Sequence, residues 1–152
     1  MPPELARRCV AVRRRPEEAP NVELRQFYDR LLGAVAADAI RRGTSVRLEP
    51  QATWDGDTTN EAFVAWLWVG PHRSFRLAVT NLGAATGRCF LPLGIPDFAG
   101  RAIVFEDLLG DARYERDGND LLARGLYLEM PADGYHLFRI RGHAPRERDA
   151  SS

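Results

Sequence analysis

The sequence contains no lysine; all 21 basic residues are arginine, and they balance 21 acidic residues. The bias reaches bland positions too, so it reads as compositional rather than functional. A formal net charge of zero leaves no long-range field to gather nucleic acid or an anionic membrane surface. Long apolar runs are also missing: none approaches the ~18 residues of a membrane-crossing helix. The stretch Cys9-Val10-Ala11-Val12, with arginines on both sides, is shorter than the ~7–15-residue core of a secretory signal. A cytoplasmic location is the resulting expectation. Cysteine is scarce. Cys9 and Cys89 are read as two isolated buried thiols, with nothing in the sequence to bring them together.

Catalytic signatures are equally sparse. No serine sits in a G-x-S-x-G elbow, and there is no phosphate loop or dinucleotide fingerprint. His72, His136 and His143 are scattered and make neither a triad nor a metal set. Asp55, Asp57 and Glu61 faintly suggest a calcium loop, but the glycine at the sixth position and the glutamate at the twelfth are absent. Arg13, Arg14 and Arg15 stand beside Glu17 and Glu18, too weak a patch for nucleic acid. No catalytic residue, metal or cofactor is expected.

What is present begins with apolar residues at 45% of the chain, enough for a core. Residues 1–20 read as an extended arm, because Pro16 and Pro20 disfavour helix before them. A single long helix is expected over 21–43. Leu24, Phe27, Tyr28, Leu31, Leu32, Val35, Ala36, Ala39 and Ile40 recur at spacings of three and four, which puts them on one wide face. Asn21 suits its N-cap. Arg41 and Arg42 suit its negative end, and Gly43 a left-handed stop.

Residues 44–141 read as β, followed by a polar tail over 142–152. Strands are expected at 45–48, 63–69, 75–81, 88–93, 102–106, 113–116, 125–130 and 135–140. Turn residues separate them, such as Asp55-Gly56-Asp57, Gly70-Pro71, Asp117-Gly118-Asn119 and Asp133-Gly134. Eight short strands with regular turns argue for an antiparallel β-sandwich behind one amphipathic helix. Strand 63–69 is apolar on both faces: Phe63, Ala65, Leu67 and Val69 on one, Val64, Trp66 and Trp68 on the other. It should be buried on both sides, and a sandwich core covers only one. The helix, or something outside this chain, should cover the other.

Leu24-Arg25-Gln26-Phe27-Tyr28-Asp29-Arg30-Leu31-Leu32, with its "LR-x-FY-x-x-LL" pattern, looks like the final barrel helix of the α-amylase superfamily of glycoside hydrolases, and further segments follow in that family's order. Trp54-Asp55-Gly56-Asp57 and the aromatic strand ending at Trp68 resemble the lead-in to its C-terminal β-domain. Leu77-Ala78-Val79-Thr80-Asn81-Leu82 is similar to its "LV-x-VN" strand. The stretch from Leu108 to Gly118 resembles its "DLL-x-G-x-x-Y-x-R-x-G" segment. Leu126-Tyr127-Leu128 and Gly134-Tyr135-His136-Leu137-Phe138 resemble its closing strands.

The resemblance implies a non-catalytic C-terminal domain or fragment that packs on an α-amylase-type barrel in α-glucan metabolism. The family's paired carboxylates sit on barrel strands, and no position here matches them. The expected partner is a barrel in the same longer protein, a separately encoded barrel, or a second copy of this chain. The expected packing residues are Leu24, Phe27, Tyr28, Leu31, Leu32, Val35, Trp66 and Trp68. The alternative is a stand-alone α-glucan-binding sandwich, in which Trp54 stacks on a sugar ring and Asp55 and Asp57 bond its hydroxyls. Asp111, Glu115, Asp117 and Asp120, interleaved with Arg113, Arg116 and Arg124, read as a solvated ion network.

Overall fold

The computed structural model describes residues 21–144. The arm over 1–20, with Cys9, and most of the polar tail lie outside them. Asn21 caps the first helix as expected, its side chain accepting from the Leu24 amide at 3.1 Å. That helix, α1 (Val22–Val35), is shorter than the pattern predicts. Ala37 takes an extended conformation (φ −60°, ψ 143°), and a separate turn, α2 (Asp38–Arg41), follows. The break turns Ala39 inward, where it is 2% exposed. Ala39 lies against Gly70, and a side chain on Gly70 would overlap it. Gly43 is not left-handed; it is glycine because a Cβ there would overlap the Ala39 carbonyl. Arg41 and Arg42 therefore close a four-residue turn rather than a long helix.

Eight antiparallel strands follow: β1 (Thr44–Leu48), β2 (Phe63–Val69), β3 (Phe75–Asn81), β4 (Gly87–Leu91), β5 (Ala102–Asp107), β6 (Arg113–Asp117), β7 (Leu126–Met130) and β8 (Tyr135–His143). Every expected strand is present. They form a six-stranded sheet in the order β1-β2-β3-β8-β5-β6 and a two-stranded sheet, β4-β7. Neither closes into a barrel. The core lies between them. Phe63, Leu67, Leu77, Val79, Phe105 and Phe138 come from the large sheet, and Cys89, Leu91, Leu126, Leu128 and Met130 from the small one. Alternation along β3, β4 and β7 places every second residue in this layer.

One element escapes the strand-and-turn reading. Residues 118–124 form a helix, α3 (Gly118–Arg124), between β6 and β7. Asp117 caps it by accepting from the Asp120 amide at 3.0 Å, Leu121 anchors it in the core, and Gly125 ends it at φ 87°. Gly118 is required by close approach, since a Cβ there would overlap the Phe98 carbonyl oxygen.

Candidate functional site

The large sheet has a second face, turned away from the core. It carries Val64, Trp66 and Trp68 of β2, Ala78 of β3 and Leu137 of β8, a set fixed by the register of the β2–β3 and β3–β8 pairs. Helix α1 lies over these residues. Phe27 makes an edge-on contact with Tyr135, ring centres 5.6 Å apart. Phe27, Leu31, Val35, Trp66, Trp68 and Leu137 line an apolar groove of about 330 Å³ between helix and sheet. The cover is partial. Not one residue of α1 is fully buried, and Trp66 remains 39% exposed.

The expected burial of β2 on both sides is therefore corrected. Its Phe63, Ala65 and Leu67 face is buried, whereas Trp66 and Val69 are exposed. The apolar stripe of α1 is wider than the strip of sheet it touches. Phe27 and Leu31 turn inward, and Leu24, Tyr28, Leu32 and Val35 stay exposed, Leu32 at 62%. All eight residues expected to pack on a partner thus lie in this one region, five of them open to solvent.

A polar pair that sequence reasoning missed lies on the other, core-facing side of the sheet, where His136 stands opposite Val79 and Asp107 opposite Phe138. Asp107, at the end of β5, is buried, and its Oδ2 lies 2.7 Å from Nδ1 of His136 on β8. Its Oδ1 accepts from the amides of Leu109 and Leu137. His136 stacks on Phe138 at 4.8 Å and meets the Tyr114 ring edge-on. The Asp107 carboxylate thus ties the β5–β6 turn to β8. Its sequence signal was slight, an aspartate two residues before a backbone amide in a turn. No cysteine or serine stands beside His136 in these contacts, so the pair orients an imidazole without a nucleophile to activate.

Trp54, Asp55 and Asp57 lie elsewhere, in the β1–β2 connection beside the small sheet. Trp54 is 54% exposed, and the Arg88 guanidinium sits over its ring at 5.3 Å from the centroid. Arg88 is held there by Glu129 at 2.9 Å. Asp55 is exposed. Asp57 is already engaged, accepting from the Thr59 amide and hydroxyl and from the Thr53 hydroxyl. The Thr59 bonds, foremost, hold its carboxyl below the usual carboxylate range. Thr59 in turn accepts from the Arg88 amide, so Asp57 fastens the loop to β4.

The acidic cluster also separates. Asp117 and Asp120 belong to the start of α3, Asp120 pairs with Arg124 at 3.4 Å, and Arg116 lies over Tyr114. Among the described residues, no group of three His, Cys, Asp or Glu is placed to hold a metal ion. Cys89 is a free, buried thiol, pushed up to about 12 by burial. No helix of the described residues is long and apolar enough to cross a membrane. The described region is thus a β-sandwich-like domain without a metal cluster or a disulfide among its described residues. No protein-family model matches the chain, and no curated protein matches it.

Proposed function

We propose that this chain is a non-catalytic accessory β-domain of the α-amylase type, which packs on a catalytic barrel and stabilises it. The observation that carries this reading is the apolar surface left open beside the groove. Leu24, Tyr28, Leu32 and Val35, three and four residues apart on one face of α1, are exposed, and so is Trp66 on β2. Exposed apolar stripes are disfavoured in water and mark contact surfaces. The helix carrying it is the segment whose sequence resembles the last helix of the family's barrel, where such a stripe would face the barrel rather than solvent. The partner is a barrel in the same longer protein or one encoded separately.

The test uses the purified chain, an apolar fluorescent dye and light scattering. The chain is expected to bind dye, and Leu32→Asp, at a site outside the core, is expected to reduce dye binding without lowering the melting temperature. Mixing with an α-amylase-type barrel from the same genome, made without its own β-domain, should raise the barrel's melting temperature and remove the dye signal. A monomer that binds no dye and leaves the barrel unchanged would sink the proposal. A stable two-fold dimer that buries Leu32 and ignores the barrel would replace the barrel by a second copy.

A further inference from the structure

We propose that a recess on the same outer sheet face, next to the apolar groove and over Arg76, Arg139 and Arg141, binds a phosphate dianion, free or as the monoester of a small molecule. The site adjoins the apolar groove, Trp68 standing opposite Arg76 in the register, and does not depend on the accessory-domain reading. Arg76 on β3 stands directly opposite Arg139 on β8 in the register. Arg141 follows two residues later on the same face, opposite Val104 of β5. Like charges directly opposed across a sheet are destabilising, and here three guanidiniums share its centre.

The countercharge within the protein is small. Glu106 receives Arg139 Nη2 at 2.8 Å. Among the described residues, Arg76 and Arg141 have no carboxylate within 4.0 Å. Among the described residues, the Arg76 side chain donates only to its own neighbour, the Phe75 carbonyl, at 3.0 Å. Nε of Arg76 and Nε of Arg139 are both buried without a hydrogen-bond partner among the described residues. A buried donor left unpaired costs free energy, so both groups are disposed to take an acceptor. Burial, then Arg139 and Arg141, depress the Arg76 guanidinium below its ordinary value.

The recess has a volume of about 440 Å³, with Arg73, Ser74, Gly142 and His143 on its wall. Arg73 pairs with Asp97 at 3.5 Å and Arg139 with Glu106, so among the described residues the four guanidiniums leave an excess of two positive charges, which a phosphate dianion neutralises. The planar donor fork of arginine matches phosphate oxygens better than a point charge does.

The experiment is thermal melting of the full chain at pH 7.5 in potassium phosphate against potassium chloride at equal ionic strength, with succinate as a dicarboxylate arm. The expected result is a phosphate-specific rise that grows with the logarithm of concentration, about 3 °C near tenfold excess over the dissociation constant. In Arg76→Gln/Arg141→Gln that rise should vanish, while the midpoint in chloride holds or increases as repulsion is relieved. If the double variant fails to fold, the 1H–15N signals of the arginine Nε groups in the unsubstituted chain decide instead. Selective movement of the Arg76 and Arg139 signals with phosphate supports the site. An equal rise in the variant, no phosphate-specific rise, or an equal rise with succinate overturns the proposal.

Discussion

Asp107 Oδ2 lies 2.7 Å from His136 Nδ1, on the core-facing side where β5 meets β8. The same carboxylate holds two backbone amides with its other oxygen. One buried side chain therefore satisfies three donors on two elements, and nothing else among the described residues ties that turn to β8 through a side chain in this way. Removing it leaves those groups unpaired rather than simply absent, which is the costlier of the two changes.

Asp107→Ala is expected to lose ~2–4 kcal/mol of stability in urea unfolding, as expected for an opened buried network. Asp107→Asn keeps an acceptor for the amides of Leu109 and Leu137 and should lose less. Equal losses in the two variants would mean that the amides contribute nothing.

Gly118 and Gly33 should respond to alanine in opposite directions. A Cβ at Gly118 would overlap the Phe98 carbonyl, and backbone there has no room to yield. Gly118→Ala should cost several kcal/mol or prevent folding, on the order of other severe core clashes. Gly33 lies inside α1 with nothing within 4 Å of its would-be Cβ. Gly33→Ala should stabilise by ~0.5–1 kcal/mol through helix propensity. Melting curves of the two variants check both.

Cys89 is completely buried, and burial pushes its thiol from 9.0 up to about 12. A thiol whose folded value is raised contributes stability that is complete below its unfolded value and is lost as pH rises toward the folded one. Stability should therefore decline between pH 9 and 12, and Cys89→Ala should flatten that decline. In native protein lacking Cys9, a thiol reagent should react only at the rate of global unfolding. Fast labelling at pH 8 would contradict the burial.

Asp57 behaves in the reverse sense. Its carboxyl is lowered by the Thr59 amide and hydroxyl first, and Glu106 is lowered mainly by Arg139. For a lowered acid the contribution is complete above the unfolded value and is lost as pH falls through the folded one. Melting temperature should drop below about pH 4, near the ordinary carboxylate range. Asp57→Asn should show a shallower drop, with a lower plateau at neutral pH.

Much of the architecture was legible in advance because it follows from short-range pattern. Alternation located all eight strands, and Asn21 was readable as a cap because its side chain serves an amide three residues on. The break at Ala37 was not legible. Ala36 and Ala37 are good helix formers, and the interruption comes from the seating of Ala39 against Gly70, far along the chain. Helix α3 had a readable signal, Asp117 as cap and Gly125 as stop, hidden by the turn-like Asp-Gly-Asn run.

The sequence by itself determined the period of each segment, and hence the eight strands, the amphipathic helix and the apolar pairing of Trp66 with Trp68 on one face of β2. Periodicity is a local property, set by backbone geometry and the side chains of neighbouring residues. Only the tertiary structure decided that the helix covers part of that face and leaves Leu24, Tyr28 and Leu32 in solvent. It alone brought Asp107 to His136, and Arg76 to Arg139 and Arg141. Those meetings depend on strand order, in which β8 inserts between β3 and β5. Strand order is settled by long-range burial of the whole core, which no window of sequence contains.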